Sequence, residues 1–281
     1  MTVTDAHVHL WELSRGDYGW ITPELEPLYR DFGPADLARA VSGHDVQSVV
    51  LVQCAPTEAE TAYLLGLAAR PPLPGAPAIA GVVGWTDLES DRAPERIAAL
   101  AERPELVGLR PMIQDIPDPG WMLKPDLHAA FSALVECGLS LDLLILPQHM
   151  DATLKLLDRY PDLRAIVDHG AKPPIARGDM QTWRQKIRAI AATGNAFCKL
   201  SGLVTEARPD WTCSDLAPWV EVLVEAFGID RLVWASDWPV VNLAGGYSPW
   251  MACARGLAAK LTGDEQERIF NCNARSFYRL H

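Results

Sequence analysis

Two histidines stand two apart near the start of the chain, in TDAHVHLW at residues 4–11. Side chains alternate across a strand, so His7 and His9 share one face with Asp5, while Val8 and Leu10 take the other. Other apolar runs also end in residues that can do chemistry. Gln53, Trp85 and Arg110 end the second, third and fourth runs, and Asp142 lies in the fifth. VDHGAKP supplies Asp168, His169 and Lys172, CKLSG supplies Lys199 and Ser201, and ASDWP supplies Asp237 and Trp238. Brought together, His7, His9, His169 and Asp237 make a nitrogen and oxygen donor set that suits Zn²⁺ or Mn²⁺, with one position left for water. Their wide spacing rules out a zinc finger. Singly, each residue has an ordinary structural use. Asp237 caps a turn before Pro239, His169 bonds within a loop, Arg110 and Lys199 pair with Asp168 or Glu206, and Trp85 and Trp238 fill core. It is their convergence on one place that would make a site. His44, His128, His149 and His281 fall on helices or the tail and take no part.

Elements that could produce such convergence are legible in the pattern. Short apolar runs at 3–9, 48–54, 79–85, 106–110, 139–145, 164–168, 197–201 and 232–236 read as eight strands. Near-continuous rather than alternating hydrophobicity suits strands covered on both faces. Between them, helical spacing appears at 34–43, 57–70, 92–102, 125–137, 149–159, 183–193, 214–227 and 249–261, with Thr57 and Ser214 as caps. A last helix at 264–279 follows. Eight strands alternating with eight helices predict a (β/α)8 TIM barrel, a single α/β domain over residues 1–281 with a C-terminal helix. A doubly wound sheet would carry fewer strands and often a glycine-rich first turn, which is absent. In a barrel, strands one and eight are neighbours, so His7, His9 and Asp237 meet at the mouth formed by the strands' C-terminal ends.

The bulk composition is compatible with this. The 281 residues are 49% hydrophobic and 22% charged, which is ordinary for a globular chain. A net charge of −11 argues against nucleic acid or an anionic membrane as partner and leaves a small molecule. MTVTDAHVHLW has no basic, apolar leader pattern, and the six cysteines show no C-x-x-C pair. They read as free thiols in a reducing compartment, the cytoplasm. Nothing in the pattern decides for or against a homo-oligomer.

The stretches DAHVHLW, GLRPMIQDIPDPGWML, VDHGAKPPI, CKLSGLVTEA, ASDWPV and IFNCNARSFYRL, in this order across residues 4–280, resemble the amidohydrolase superfamily. The resemblance is to amidohydrolase family 2 and, within it, to its sugar lactonases. It implies His7, His9, His169 and Asp237 as metal ligands, with Asp237 and His169 catalytic. Many members carry a lysine or histidine at the end of strand five, where this chain offers only Asp142. That departure argues against two metals, and the branch does not always need even one divalent cation for turnover. The implied reaction is opening of an aldono-1,4- or 1,5-lactone to the aldonic acid. Asp237 would take a proton from water, and a metal, or failing it the histidines, Arg110 and Lys172, would stabilise the oxyanion. Gln53, Arg110, Lys172, Lys199 and Asp142 are the expected polar contacts to a sugar lactone, and Trp11, Trp20, Trp85 and Trp238 the flat apolar ones. A decarboxylase or lactone isomerase on the same fold, or a sugar-acid sensor without activity, are the alternatives.

Overall fold

The apolar runs become strands buried on both faces. In the computed structural model, which describes residues 1–280, they are β1 (Val3–Val8), β2 (Val46–Val52), β3 (Ala78–Gly84) and β4 (Leu106–Leu109). β5 (Ser140–Leu143), β6 (Arg164–Val167), β7 (Ala196–Leu200) and β8 (Leu232–Trp234) complete the set. All seven consecutive pairs are parallel, in chain order. The ring closes beyond β8, where Val8 bridges Trp238 in parallel. The expected (β/α)8 barrel is therefore the observed architecture.

Helices α1 (Pro34–Ala40), α2 (Glu58–Ala68), α3 (Ala93–Ala101) and α4 (His128–Cys137) follow the first four strands. α5 (Met150–Arg159), α6 (Met180–Ala192), α7 (Cys213–Phe227) and α8 (Tyr247–Ala258) follow the rest. The Thr57 side chain caps α2 by accepting from Glu60 N at 3.1 Å. α7 starts one residue earlier than its spacing predicts. Its cap is Thr212 rather than Ser214, because the Asp215 carboxylate reaches back to the Thr212 N–H at 2.8 Å. Among the described residues, no helix is long and apolar enough to cross a membrane.

The expected C-terminal helix is broken into α9 (Gly263–Glu267), a π turn over Arg268–Cys272, and α10 (Asn273–Tyr278). α10 closes the bottom of the barrel. Phe277, Tyr278 and Leu280 pack with Ala6, Val50, Val52, Val83, Ile166, Val233 and Ala235 from the barrel interior. Each large apolar side chain so buried contributes about 1.5–3 kcal/mol.

The thiols differ from the sequence-based expectation. Cys213 of α7 and Cys253 of α8 form a disulfide across Cα atoms 5.5 Å apart, a separation that such a bridge spans. Cys54, Cys137, Cys198 and Cys272 are free. The pairing arises from packing of α7 against α8 across 40 residues of chain, which cysteine spacing does not encode.

Candidate active site

Barrel closure builds the site. The His7 carbonyl accepts from Asp237 N at 3.0 Å and the Trp238 carbonyl from His9 N at 2.7 Å, so the segment after β8 is zipped to the end of β1. Asp5 clamps the same seam from below. Its Oδ1 accepts from the N–H groups of His7 (3.3 Å) and Ser236 (2.9 Å), and its Oδ2 from the Tyr247 hydroxyl (3.1 Å). Burial still outweighs these donors and pushes the Asp5 carboxyl up to about 6.

Asp237, in left-handed backbone at φ 59°, points Oδ1 at three imidazoles. It lies 3.2 Å from His9 Nε2, 3.6 Å from His7 Nε2 and 3.9 Å from His169 Nε2. His7 Nε2 and His9 Nε2 are 3.1 Å apart. His9 Nδ1 is 2.7 Å from the Val52 carbonyl, which can only accept, so His9 carries a proton on Nδ1, while its Nε2 faces Asp237 Oδ1. His169 is held through Nδ1 by the Ser201 hydroxyl at 2.9 Å. Gly202 makes room for its ring: at φ +62°, a Cβ there would sit 2.6 Å from ring atoms of His169.

Four expected site residues lie at or under the floor. Arg110 Nη1 is 3.4 Å from Asp168 Oδ2 and 3.2 Å from His7 Nε2. Its Nη2 donates to the Gln53 carbonyl, while Gln53 Nε2 donates back to the Arg110 carbonyl at 2.5 Å. Lys199 Nζ donates to Asp142 Oδ2 at 2.6 Å and to His7 Nδ1 at 3.0 Å, and ion-pairs with Asp168 Oδ1 at 2.9 Å. Asp142 accepts further from the Tyr278 hydroxyl at 2.6 Å and the Ser140 hydroxyl at 3.1 Å.

Exposure sorts these groups into two layers. Asp237 is 5% exposed and His9, His169 and Arg110 are 3% each, so they form the surface that a ligand meets. His7, Gln53, Asp142, Asp168 and Lys199 are at 0%, beneath it. The expectation that Lys199 and Asp142 touch substrate is therefore corrected: both are spent on a buried ion pair in the barrel interior. Of the aromatic candidates, Trp85 is half-buried at the end of β3, whereas Trp11 and Trp238 are buried. Phe32 packs edge-on against both of these, with centroids 5.2 and 5.3 Å away. Trp11 also meets Trp20 edge-on, and Trp20, unlike Trp11, keeps a 36% exposed surface. Lys172 is half-buried at the rim, 3.9 Å from Glu206.

The charge states follow from these surroundings. Burial opposes ionisation of Asp237, but His169, His9 and His7 crowd around it and the balance holds its carboxyl below the usual carboxylate range. Burial lowers His169 to about 4 and, with Lys199 beside it, holds His7 well below the ordinary imidazole value. At neutral pH the site thus sets an ionised Asp237 carboxylate beside the neutral imidazoles of His7 and His169.

The donor spacing fits one small cation. Around a tetrahedral ion with bonds of about 2.0–2.1 Å, ligand atoms lie about 3.3 Å apart, close to the 3.1, 3.2 and 3.6 Å among His7 Nε2, His9 Nε2 and Asp237 Oδ1. Arg110 and Lys199 flank His7 and oppose added positive charge.

Sequence reasoning gave Ser201 no role and passed over Tyr278. A signal for the buried layer was present: Lys199 alternates with Cys198 and Leu200, which face the helices, so its side chain enters the barrel, and a lysine there requires carboxylates.

A family profile described as amidohydrolase matches residues 4–280. The chain is 42% identical to an L-fucono-1,5-lactonase of Burkholderia ambifaria, over 98% of this chain and 95% of that protein. It is 31% identical to an L-fucono-1,5-lactonase of Burkholderia multivorans, with the same coverages. A crystal structure of an amidohydrolase from Burkholderia multivorans with bound zinc superposes with a TM-score of 0.91 at 30% identity, covering 100% of both chains.

Proposed function

Since the chain belongs to the amidohydrolase family, we propose that it hydrolyses a sugar lactone to the aldonic acid, with L-fucono-1,5-lactone as the first substrate to try. The observation that carries this reading is Asp237, an ionised carboxylate at the barrel mouth with its Oδ1 within 3.9 Å of three imidazoles. Full-length likeness to proteins named as L-fucono-1,5-lactonases supports the substrate class.

Asp237 takes a proton from water as the water oxygen attacks the lactone carbonyl carbon. The carbonyl oxygen becomes an oxyanion, and Arg110, the cationic group in the exposed layer, stabilises it. The carbonyl–ring oxygen bond then breaks and the ring oxygen takes the proton held by Asp237, leaving a hydroxyl and a carboxylic acid. His169, neutral above about 4, keeps Asp237 in place without neutralising it. Lys172 offers a donor to sugar hydroxyls at the rim, and Trp20 and Trp85 offer apolar faces. His7, His9, His169 and Asp237 would hold one divalent cation, Zn²⁺ or Mn²⁺, which when bound supplies carbonyl polarisation and lowers the pKa of a water.

The test is a pH-indicator assay of aldono-1,4- and 1,5-lactones, corrected for spontaneous opening. Turnover of L-fucono-1,5-lactone or a related sugar lactone supports the reading. Silence across the panel would overturn it in favour of a sensor or a different reaction on this fold.

A further inference from the structure

We infer that Lys172 and Glu206 together grip one ring hydroxyl of the lactone, and that this pair sets the site's preference for hydroxylated rings. The inference deepens the lactonase reading and rests on it for the class of ligand. It starts from a backbone feature beside the mouth. Four consecutive residues after β6 are left-handed: His169, Gly170, Ala171 and Lys172, at φ 53°, 57°, 60° and 49°. Side chains other than glycine's rarely adopt this conformation even singly, and a run of it persists only where the surroundings impose it, commonly at functional sites. Here the Lys172 N–H donates to the His169 carbonyl at 2.9 Å, and the Trp183 indole N–H holds the Gly170 carbonyl at 2.8 Å. So tight a turn stacks residues i and i+3, which sends the Lys172 side chain off on the side of His169.

The neighbouring loop delivers Glu206 to meet it. After Ser201 and Gly202, which seat the His169 ring, Leu203 and Val204 are buried and anchor a 3-10 turn over Val204–Glu206. The Thr205 hydroxyl donates to the Gly202 carbonyl at 2.9 Å, and Glu206 N to the Leu203 carbonyl at 3.2 Å. Both charged side chains stand within the field of the mouth. Burial chiefly lowers His169, and the charge of Lys172 adds to it. Burial raises the Glu206 carboxyl, Lys172 pulls it back and Asp237 pushes it up again.

The gap between the two is what selects a ligand group. Lys172 Nζ lies 3.9 Å from Glu206 Oε1, beyond the reach of a hydrogen bond. Among the described residues, neither charged group hydrogen-bonds to another protein group. An oxygen about 2.8 Å from each, an ordinary length for a charge-assisted bond, caps that gap as the apex of a triangle. A hydroxyl alone among common ring substituents can do so, because it accepts from the ammonium and donates to the carboxylate at once. A methylene does neither, and a carboxylate has nothing to donate to Glu206. The side chains are 24 and 27% exposed, so a bound ring covers what remains. A ring without the hydroxyl would then leave two charges dehydrated and unpaired.

The test is a deoxy series. L-Fucono-1,5-lactone and analogues each lacking one ring hydroxyl are compared by kcat/KM in the parent and in Lys172→Met/Glu206→Ala, with circular dichroism as the check on folding. In the parent, one analogue should lose about 10–100-fold, the range of a hydrogen bond to a charged group. In the double variant, which lacks both charges, that analogue should come within about threefold of the full substrate. Glu206→Gln keeps an acceptor without the charge and should lie between, and it carries the test alone if the double variant misfolds. No sensitive position in the parent, or a penalty as large in the variants as in the parent, overturns the proposal. The corresponding 1,5-lactams, which resist hydrolysis, are titrated into the same proteins by calorimetry, so that the two readings fail separately. Lactam binding with the same dependence on one hydroxyl, in a protein that opens no lactone, sinks the reaction and leaves the pair's role standing. Lactam binding that is absent, or indifferent to every hydroxyl, sinks the pair's role even where turnover is found.

Discussion

Replacing Lys199 by methionine should be among the most damaging single changes in the barrel. The side chain is at 0% exposure and its ammonium lies 2.6 Å from Asp142 and 2.9 Å from Asp168, both also at 0%. Methionine nearly fills the volume, so packing is kept and charge is what changes. Asp168 retains Arg110 at 3.4 Å, and Asp142 retains the Tyr278 and Ser140 hydroxyls at 2.6 and 3.1 Å. Asp142 can relieve itself by taking a proton, since burial already raises its carboxyl against the pull of Lys199. Asp168 loses the cation that chiefly holds it ionised and keeps only Arg110 at 3.4 Å, so its buried charge is left poorly compensated. Removing one partner of a buried ion pair costs about 3–5 kcal/mol, which for a chain of this size lowers Tm by on the order of 10 °C. Urea unfolding followed by tryptophan fluorescence measures the loss, with an unchanged m-value as the check on two-state behaviour. Lys199→Met/Asp142→Leu, which removes charge of both signs, should recover at least about 2 kcal/mol of it. A single variant within about 1 kcal/mol of the parent, or a double variant no more stable than the single, would refute the buried-layer reasoning.

Other expectations concern the mouth. Gly202→Ala should displace the His169 ring, because the added methyl would lie 2.6 Å from it at φ +62°; circular dichroism should show the barrel intact while lactone turnover drops at least tenfold. His169 is lowered to about 4 in the fold against an ordinary 6.5. Between these values the unfolded chain binds the extra proton, so stability is retained above about 6.5 and declines by about 3 kcal/mol as pH falls to 4. His169→Gln should flatten that part of the stability–pH curve, and an unchanged slope would contradict it. Chelation should leave measurable turnover, since Asp237 is ionised without a cation, and complete loss restored by Zn²⁺ or Mn²⁺ would assign the chemistry to the metal.

Much of this architecture is written locally. The apolar strand runs, the helical spacing and the cap at Thr57 follow from short stretches of chain, and the strands expected at 3–9 and 197–201 appear as Val3–Val8 and Ala196–Leu200. The meeting of His7, His9 and Asp237 follows once β1 and β8 are neighbours, because alternation fixes which side chains face inward. What could not be read depends on contacts between distant segments. Lys199 turns inward to Asp142 and Asp168, α10 plugs the barrel bottom with Tyr278 on Asp142, and Cys213 meets Cys253 only when α7 packs on α8. The burial of Trp11 has the same origin: Phe32, from a loop some twenty residues further on, packs edge-on against it.

The measurement closest to the central claim compares the parent and Asp237→Asn on L-fucono-1,5-lactone at pH 7, with matched circular dichroism. Asparagine keeps the shape and removes the base, so the account predicts turnover in the parent and a fall of about 10²–10⁴-fold in the variant. A variant within tenfold of an active parent would remove Asp237 as the base, and with it the proposed chemistry.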